Sequence, residues 1–173
     1  MRVSLFRCCC VALLLSAGPG LAVAATRPEP AGARPQMTLP ALGEEVPLAR
    51  IKEICAFYGL TDLWRKIERD PPPRPFRSDG CTGWFDDWKG VSLYPAGFLH
   101  DLKYWAGYPG EDVARLVADA ELMIDVARLL NSTAMAETMF HGVRVGGNEK
   151  LNASFSWGFG RKELAPEPGK TKP

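Results

Sequence analysis

Histidine is nearly missing from this chain, with two in 173 residues, and cysteine is scarce outside one cluster, with five in all and three of them adjacent at Cys8 to Cys10. The two that stand apart, Cys55 and Cys81, and the two histidines, His100 and His141, have none of the paired spacing by which a structural zinc site gathers four ligands. An imbalance of charge is also missing. The formal net charge is +1, which provides no basic field for nucleic acid and excludes that class of partner. Long apolar runs are absent too: the one near the start, "CCCVALLLSAG", is shorter than the roughly 20 residues that cross a bilayer. There are no internal repeats.

That first run has the pattern of an export signal. Arg2 and Arg7 precede it, and "LAVAA" follows with Ala22 and Ala24 as the small pair before a cut, so residues 1–24 read as a cleavable signal peptide and the chain as secreted or periplasmic. Cleavage after Ala24 removes both arginines and takes the charge from +1 to about −1. No transmembrane segment is expected in the mature chain. It also removes Cys8 to Cys10, leaving one possible bridge, Cys55 with Cys81, in a compartment that permits disulfides. Residues 25–46, rich in Pro, Gly and Ala, read as a flexible leader, and residues 162–173 as a disordered tail. What remains, 47–161, is long enough for one domain with its own core and is expected to be a monomer.

Within that domain the dominant period is helical. Leu48, Ile51, Ile54, Cys55 and Tyr58, then Leu60, Leu63, Trp64 and Ile67, recur at three and four residues, with Gly59-Leu60-Thr61 dividing two short helices. "DPPPRPF" forbids regular structure and "SDGCTGW" continues it as a turn-rich loop. A helix starting near Pro95 runs to about Gly107. From Glu111 to Leu130 the residues Val113, Leu116, Val117, Ala120, Met123, Ile124, Ala127 and Leu130 form a stripe expected to face the core. A shorter helix is expected over Thr133 to His141, with His141 at its end, and Phe155, Trp157 and Phe159 alternate as a strand or extended hairpin would. The fold class is therefore mainly α, a small domain with two central antiparallel helices behind a loop.

Three polar side chains on those central helices share a possible purpose. His100 and Tyr104 stand four apart and face the same way, while Asp101 is turned by about 100°. Asp119 borders the stripe of the following helix and meets His100 and Tyr104 if the two helices are antiparallel neighbours. A carboxylate that accepts one ring N–H of a histidine fixes its tautomer and leaves the other nitrogen as a base. Asp101 is then free for a cation. Calcium takes six to eight oxygens, and the loop Asp79-Gly80-Cys81-Thr82-Gly83 offers the Asp79 carboxylate with backbone carbonyls.

"SDGC", then "HDLKY", then an aspartate on the next helix resembles the secreted phospholipase A2 superfamily, especially its prokaryotic type, over roughly Ser78 to Ala127. The resemblance implies calcium-dependent hydrolysis of the sn-2 ester of a glycerophospholipid at a membrane surface. It gives His100 the role of general base, Tyr104 and Asp119 that of orienting it, and Asp101, Asp79 and the Gly80 carbonyl that of calcium ligands. The family carries cysteine three or four residues before the histidine, where this chain has Gly97 and Ala96. Cys81 matches the loop cysteine that would pair there, so its remaining partner is Cys55.

Trp84, Phe85 and Trp105 are candidates for contact with lipid, set against the alternative that these aromatics fill the core. Arg144 is a candidate for a phosphate, and Asp86 and Asp87 are either extra ligands or solvated. The runner-up function is a non-catalytic protein of the same fold that binds lipid or a protein partner. A third reading makes His100, Asp119 and Tyr104 only a buried polar network.

Overall fold

A computed structural model describes residues 37–81 and 83–162. The expected signal peptide, leader residues 25–36, Thr82 and tail residues 163–173 lie outside the described residues. The domain is mainly helical: α1 is Leu48–Phe57, α2 Thr61–Arg69, α3 Tyr94–Ala106, α4 Asp112–Leu130 and α5 Thr133–Gly146. A ribbon of two short strands, β1 Asp87–Trp88 and β2 Val91–Ser92, lies before α3, and a single 3-10 turn, Glu149–Leu151, follows α5. No described helix is long and apolar enough to cross a membrane.

The first two helices divide where the sequence places the break, with Gly59 at φ +71° reversing the chain. Their apolar faces, Ile51, Ile54, Cys55 and Ile67, close on Phe76, Phe98, Leu102 and Trp105 in one core cluster. Phe76 stands edge-on to Phe98 at 5.2 Å. Burying each such side chain stabilises the fold by about 1.5–3 kcal/mol. Pro71, Pro72 and Pro73 end α2 because they lack the amide donors that another turn needs.

Residues 37–46, read from the sequence as leader, pack on this domain. Val46 is buried and pairs with Phe76 across an antiparallel bridge. The Gly43 N–H donates to the Ser78 carbonyl at 2.8 Å, and the Tyr94 hydroxyl to the Pro40 carbonyl at 2.6 Å. Composition made the stretch look mobile because it holds few large apolar residues. Met37, Leu39 and Val46 suffice when each meets the core.

The stripe on α4 is split between core and solvent: Met123, Ala127 and Leu130 pack half-buried against the core, as expected, but the rest does not. Val113, Leu116, Val117 and Ile124 are exposed, and the buried face is Arg115, Ala118, Asp119, Leu122 and Val126. Both α3 and α5 pack on that buried side. The physical reason is polar: Asp119 accepts from three donors inside the fold, so the helix is turned to bring Asp119 inward, which leaves the edge of the stripe with Val113, Leu116, Val117 and Ile124 outside.

Two further elements differ from the reading of the sequence. The last helix continues through "GVRVG" to Gly146, so His141 is an exposed mid-helix residue, not a terminal one. The alternation Phe155, Trp157, Phe159 is a run of turns, not a strand. Trp157 is buried edge-on to Tyr104 at 5.1 Å, over Gly107, where any Cβ would strike its ring.

Candidate active site

At the middle of α3 His100 points across to α4, and its Nε2 lies 2.9 Å from Asp119 Oδ1. One helical turn on, the Tyr104 hydroxyl donates to the same oxygen at 2.6 Å, and the two rings lie 4.2 Å apart. The other oxygen, Oδ2, accepts from Arg144 Nη1 at 2.6 Å, an arginine supplied by α5. Asp119 is fully buried. Burial alone would raise its pKa, but the donors His100, Tyr104 and Arg144 outweigh it and hold the carboxyl below its ordinary value. A carboxylate accepts only, so Nε2 of neutral His100 carries the proton and Nδ1 keeps the lone pair.

Around this hub the supporting contacts are equally specific. Gly147 lets the Tyr104 ring approach the end of α5, since a side chain there would collide with it. Buried Arg115 donates to the Arg144 carbonyl from both Nη1 and Nη2, at 3.2 and 3.3 Å, placing a cation at the carbonyl end of α5. Burial disfavours charge on His100, but the two nearby carboxylates, Asp101 by its charge and Asp119 by its charge and hydrogen bond, prevail and raise its pKa. Burial and the hydrogen bond to Asp119 push Tyr104 well up, so it remains a donor.

Asp101 leaves α3 on a different side. Its Oδ1 is 3.9 Å from His100 Nδ1, too long for a hydrogen bond, and its Oδ2 accepts from the Ser78 hydroxyl at 2.6 Å. The Ser78 oxygen in turn accepts from the Gly80 N–H at 3.2 Å, linking helix to loop. Burial raises the pKa of Asp101, and the negative charge of Asp79 raises it further, against the lowering effect of His100 and Ser78.

The loop itself is fixed by the residues that follow it. Asp86 Oδ1 accepts from the Cys81 N–H at 2.8 Å and lies against Gly80, whose φ of +76° and lack of a Cβ permit that approach. The Leu93 N–H donates to the Asp86 carbonyl at 2.8 Å. Asp87 accepts from the Gly90 N–H at 3.0 Å and closes the tight turn Lys89-Gly90, where both residues have positive φ. Asp86 and Asp87 are thus engaged in holding the loop and the ribbon.

One cavity of about 250 Å³ collects these groups. Asp79, Gly80, His100, Asp101 and Tyr104 all line it, and Trp84, Leu122, Met139, Val143 and Phe155 make an apolar wall. Two carboxylates and a backbone carbonyl are the donors a hard cation prefers. Among the described residues no group of three or more His, Cys, Asp or Glu side chains is arranged to hold a metal, so any cation here would rely on carbonyls and water beyond Asp79 and Asp101.

The aromatics separate by position. Trp84 lines the cavity, and its indole N–H is the one buried side-chain polar atom without a partner among the described residues. Phe85 is exposed, 5.4 Å from Trp88. Trp105, grouped with them in the sequence, does not line the cavity. It is buried in the core and donates to the Arg74 carbonyl at 2.7 Å.

The expected Cys55–Cys81 bridge is not formed: both cysteines are free and buried. Cys55 belongs to the cluster of α1, α2 and α3, and Cys81 to that of α4 and α5, so they face different cores. Burial raises the Cys55 thiol to about 11, and burial with the Asp86 charge raises Cys81 to about 12. Neither is a reactive thiolate near neutrality.

Sequence reasoning missed Ser78, which holds Asp101, and raised Arg144 only as a candidate for a phosphate or a solvated residue, whereas it holds Asp119. It also missed the wall from α5, although the small residues of "GVRVGG" were a signal for close approach by another element. Comparisons with protein-family models, with curated proteins and with solved structures give no match.

Proposed function

We propose that this chain is a calcium-dependent hydrolase of the phospholipase A2 kind, cleaving the sn-2 ester of glycerophospholipids. One observation carries the reading. His100 has Nε2 on a buried, charged Asp119, and the same cavity holds Asp101, Asp79 and Gly80. Two central helices, α3 and α4, then carry the reacting groups, and the loop before them is the metal loop.

In this mechanism His100 takes a proton at Nδ1 from a water that attacks the ester, and Asp119, held by Tyr104 and Arg144, stabilises the imidazolium that results. The same proton then passes to the departing alkoxide. Asp101, Asp79 and the Gly80 carbonyl would hold calcium, with Ser78 fixing one Asp101 oxygen. Bound calcium supplies positive charge for the substrate phosphate and for the negative charge that develops on the ester carbonyl oxygen. The apolar wall of Leu122, Met139 and Val143 offers an acyl chain a place to leave water.

The test is fatty-acid release from phospholipid vesicles. Release is expected with calcium and is expected to cease in chelator, and His100→Ala lowers it by about 10²–10⁴-fold. Equal release in calcium and in chelator would sink the proposal. Vesicle binding without any release, unchanged in His100→Ala, is the result that favours a non-catalytic lipid-binding protein.

A further inference from the structure

A second cavity, of about 300 Å³, lies beside the first, and Asp79 and Phe155 line both. Arg74, Arg77, Ser78 and Ser154 form most of its polar wall. Arg77 is already engaged, donating to the Gly43 carbonyl at 3.1 Å and to Glu45 Oε2 at 2.6 Å. Arg74 differs. Its backbone is fixed on both sides, the N–H donating to the Gly160 carbonyl at 3.1 Å and the carbonyl accepting from Trp105 Nε1 at 2.7 Å. It stands between Pro73 and Pro75, which stiffen the stem further. Its guanidinium makes no hydrogen bond or ion pair with any described residue.

We propose that this second cavity is a headgroup subsite, with Arg74 selecting phospholipids whose headgroup presents hydroxyl or anionic oxygens and carries no cation. This rests on the hydrolase reading above. There the substrate phosphate lies by Asp79, and the headgroup hangs from that phosphate on the side away from the ester. A cavity that shares Asp79 with the catalytic cavity but is not lined by His100 is the space available to it.

Guanidinium has five donors and no acceptor, so it rewards hydroxyl and acidic oxygens. A choline headgroup brings a like charge to it. Phe155 and Phe159 also line the cavity, and aromatic faces favour quaternary ammonium. The choice therefore lies between two rings and one uncompensated cation at close quarters, and the cation prevails because like charges placed together are the costlier arrangement.

The experiment uses dihexanoyl-phosphatidylglycerol and dihexanoyl-phosphatidylcholine as monomers below their micellar concentrations, so that surface charge plays no part. With calcium, kcat/KM for the glycerol lipid is expected to exceed that for the choline lipid by about tenfold, the value of one charge-assisted hydrogen bond. Arg74→Gln removes that preference, and Arg74→Lys keeps part of it. A ratio of one or below in the unmodified chain overturns the proposal, as does an unchanged ratio in Arg74→Gln. If neither lipid is hydrolysed, the hydrolase reading has failed by itself. The ratio is then read from the two dissociation constants by calorimetric titration: a glycerol preference lost in Arg74→Gln upholds the subsite, and its absence overturns it.

Discussion

Asp119 receives three donors on two oxygens, and no amide can replace it. In Asp119→Asn the new NH2 must face either Arg144, donor against donor, or the His100–Tyr104 pair, where His100 has to switch tautomer to accept it. The expected outcome is a loss of about 1–3 kcal/mol in stability, read as a shift of the urea midpoint. With His100 no longer held in one tautomer, ester hydrolysis is expected to fall by about 10²-fold or more. Tyr104→Phe removes one donor and leaves Asp119 satisfied by two, so it should cost about 1 kcal/mol and far less activity. The contrast between these two variants separates a positioning carboxylate from a mere packing contact. At this scale His100, Asp101, Tyr104 and Asp119 were legible, because three lie within one helical turn and a half and the fourth lies on the next helix. Ser78 and Arg144 were not, since each meets its partner across more than twenty residues of chain with no periodic signal to link them.

Between elements, the loop and α3 lack a covalent tether but retain the space for one. A Cβ built on Gly97 would lie 2.9 Å from Cys81 Sγ, close to the separation of about 3 Å that a disulfide's bond lengths impose between a Cβ and the partner sulfur. Gly97→Cys is therefore expected to oxidise with Cys81, closing a loop of a length for which the gain is about 3 kcal/mol. The same Cβ would lie 3.1 Å from the Gly80 carbonyl oxygen, so Gly80 must shift by a few tenths of an ångström and the gain is reduced. Thiol counting and melting with and without reductant measure both effects. The helix α4 provides a second test of what the sequence conceals. Its periodic stripe was legible as a stripe, but period alone does not fix how the helix is turned, and the buried charge of Asp119 leaves only the Met123, Ala127 and Leu130 edge of the stripe against the core. Val117→Ser should thus change stability by less than about 0.5 kcal/mol, whereas Val126→Ala, in the core, should cost about 1.5 kcal/mol or more. Equal costs would mean that α4 is turned as its apolar pattern alone implies.

Across the whole domain, the site depends on a segment that composition assigned to the leader. Gly43, Val46 and Pro40 pair with Ser78, Phe76 and Tyr94, and Ser78 is the residue that steadies Asp101 and begins the loop. The mainly helical class was legible from period, but this support was not, because its contacts are mostly backbone hydrogen bonds and a few apolar side chains that follow no period. Asp79 and Asp101 share a cavity, and the negative charge of Asp79 makes Asp101 harder to charge. The calcium proposed for this site would reverse that repulsion and would bind the folded chain alone. At a calcium concentration about 100 times its dissociation constant the gain is about 2.7 kcal/mol, or roughly 10 °C in melting temperature for a domain of this size. Asp101→Asn should abolish the shift without lowering the melting temperature in chelator, since it removes a buried charge and keeps an oxygen for Ser78. A chain that begins at Met37 should keep the full calcium shift. One that begins at Pro47 should melt lower and lose it, because the loop then has nothing to hold its start. A calcium shift that survives the loss of residues 37–46 would show that the loop is held by Asp86 and Leu93 alone, and that this segment steadies the core without serving the site.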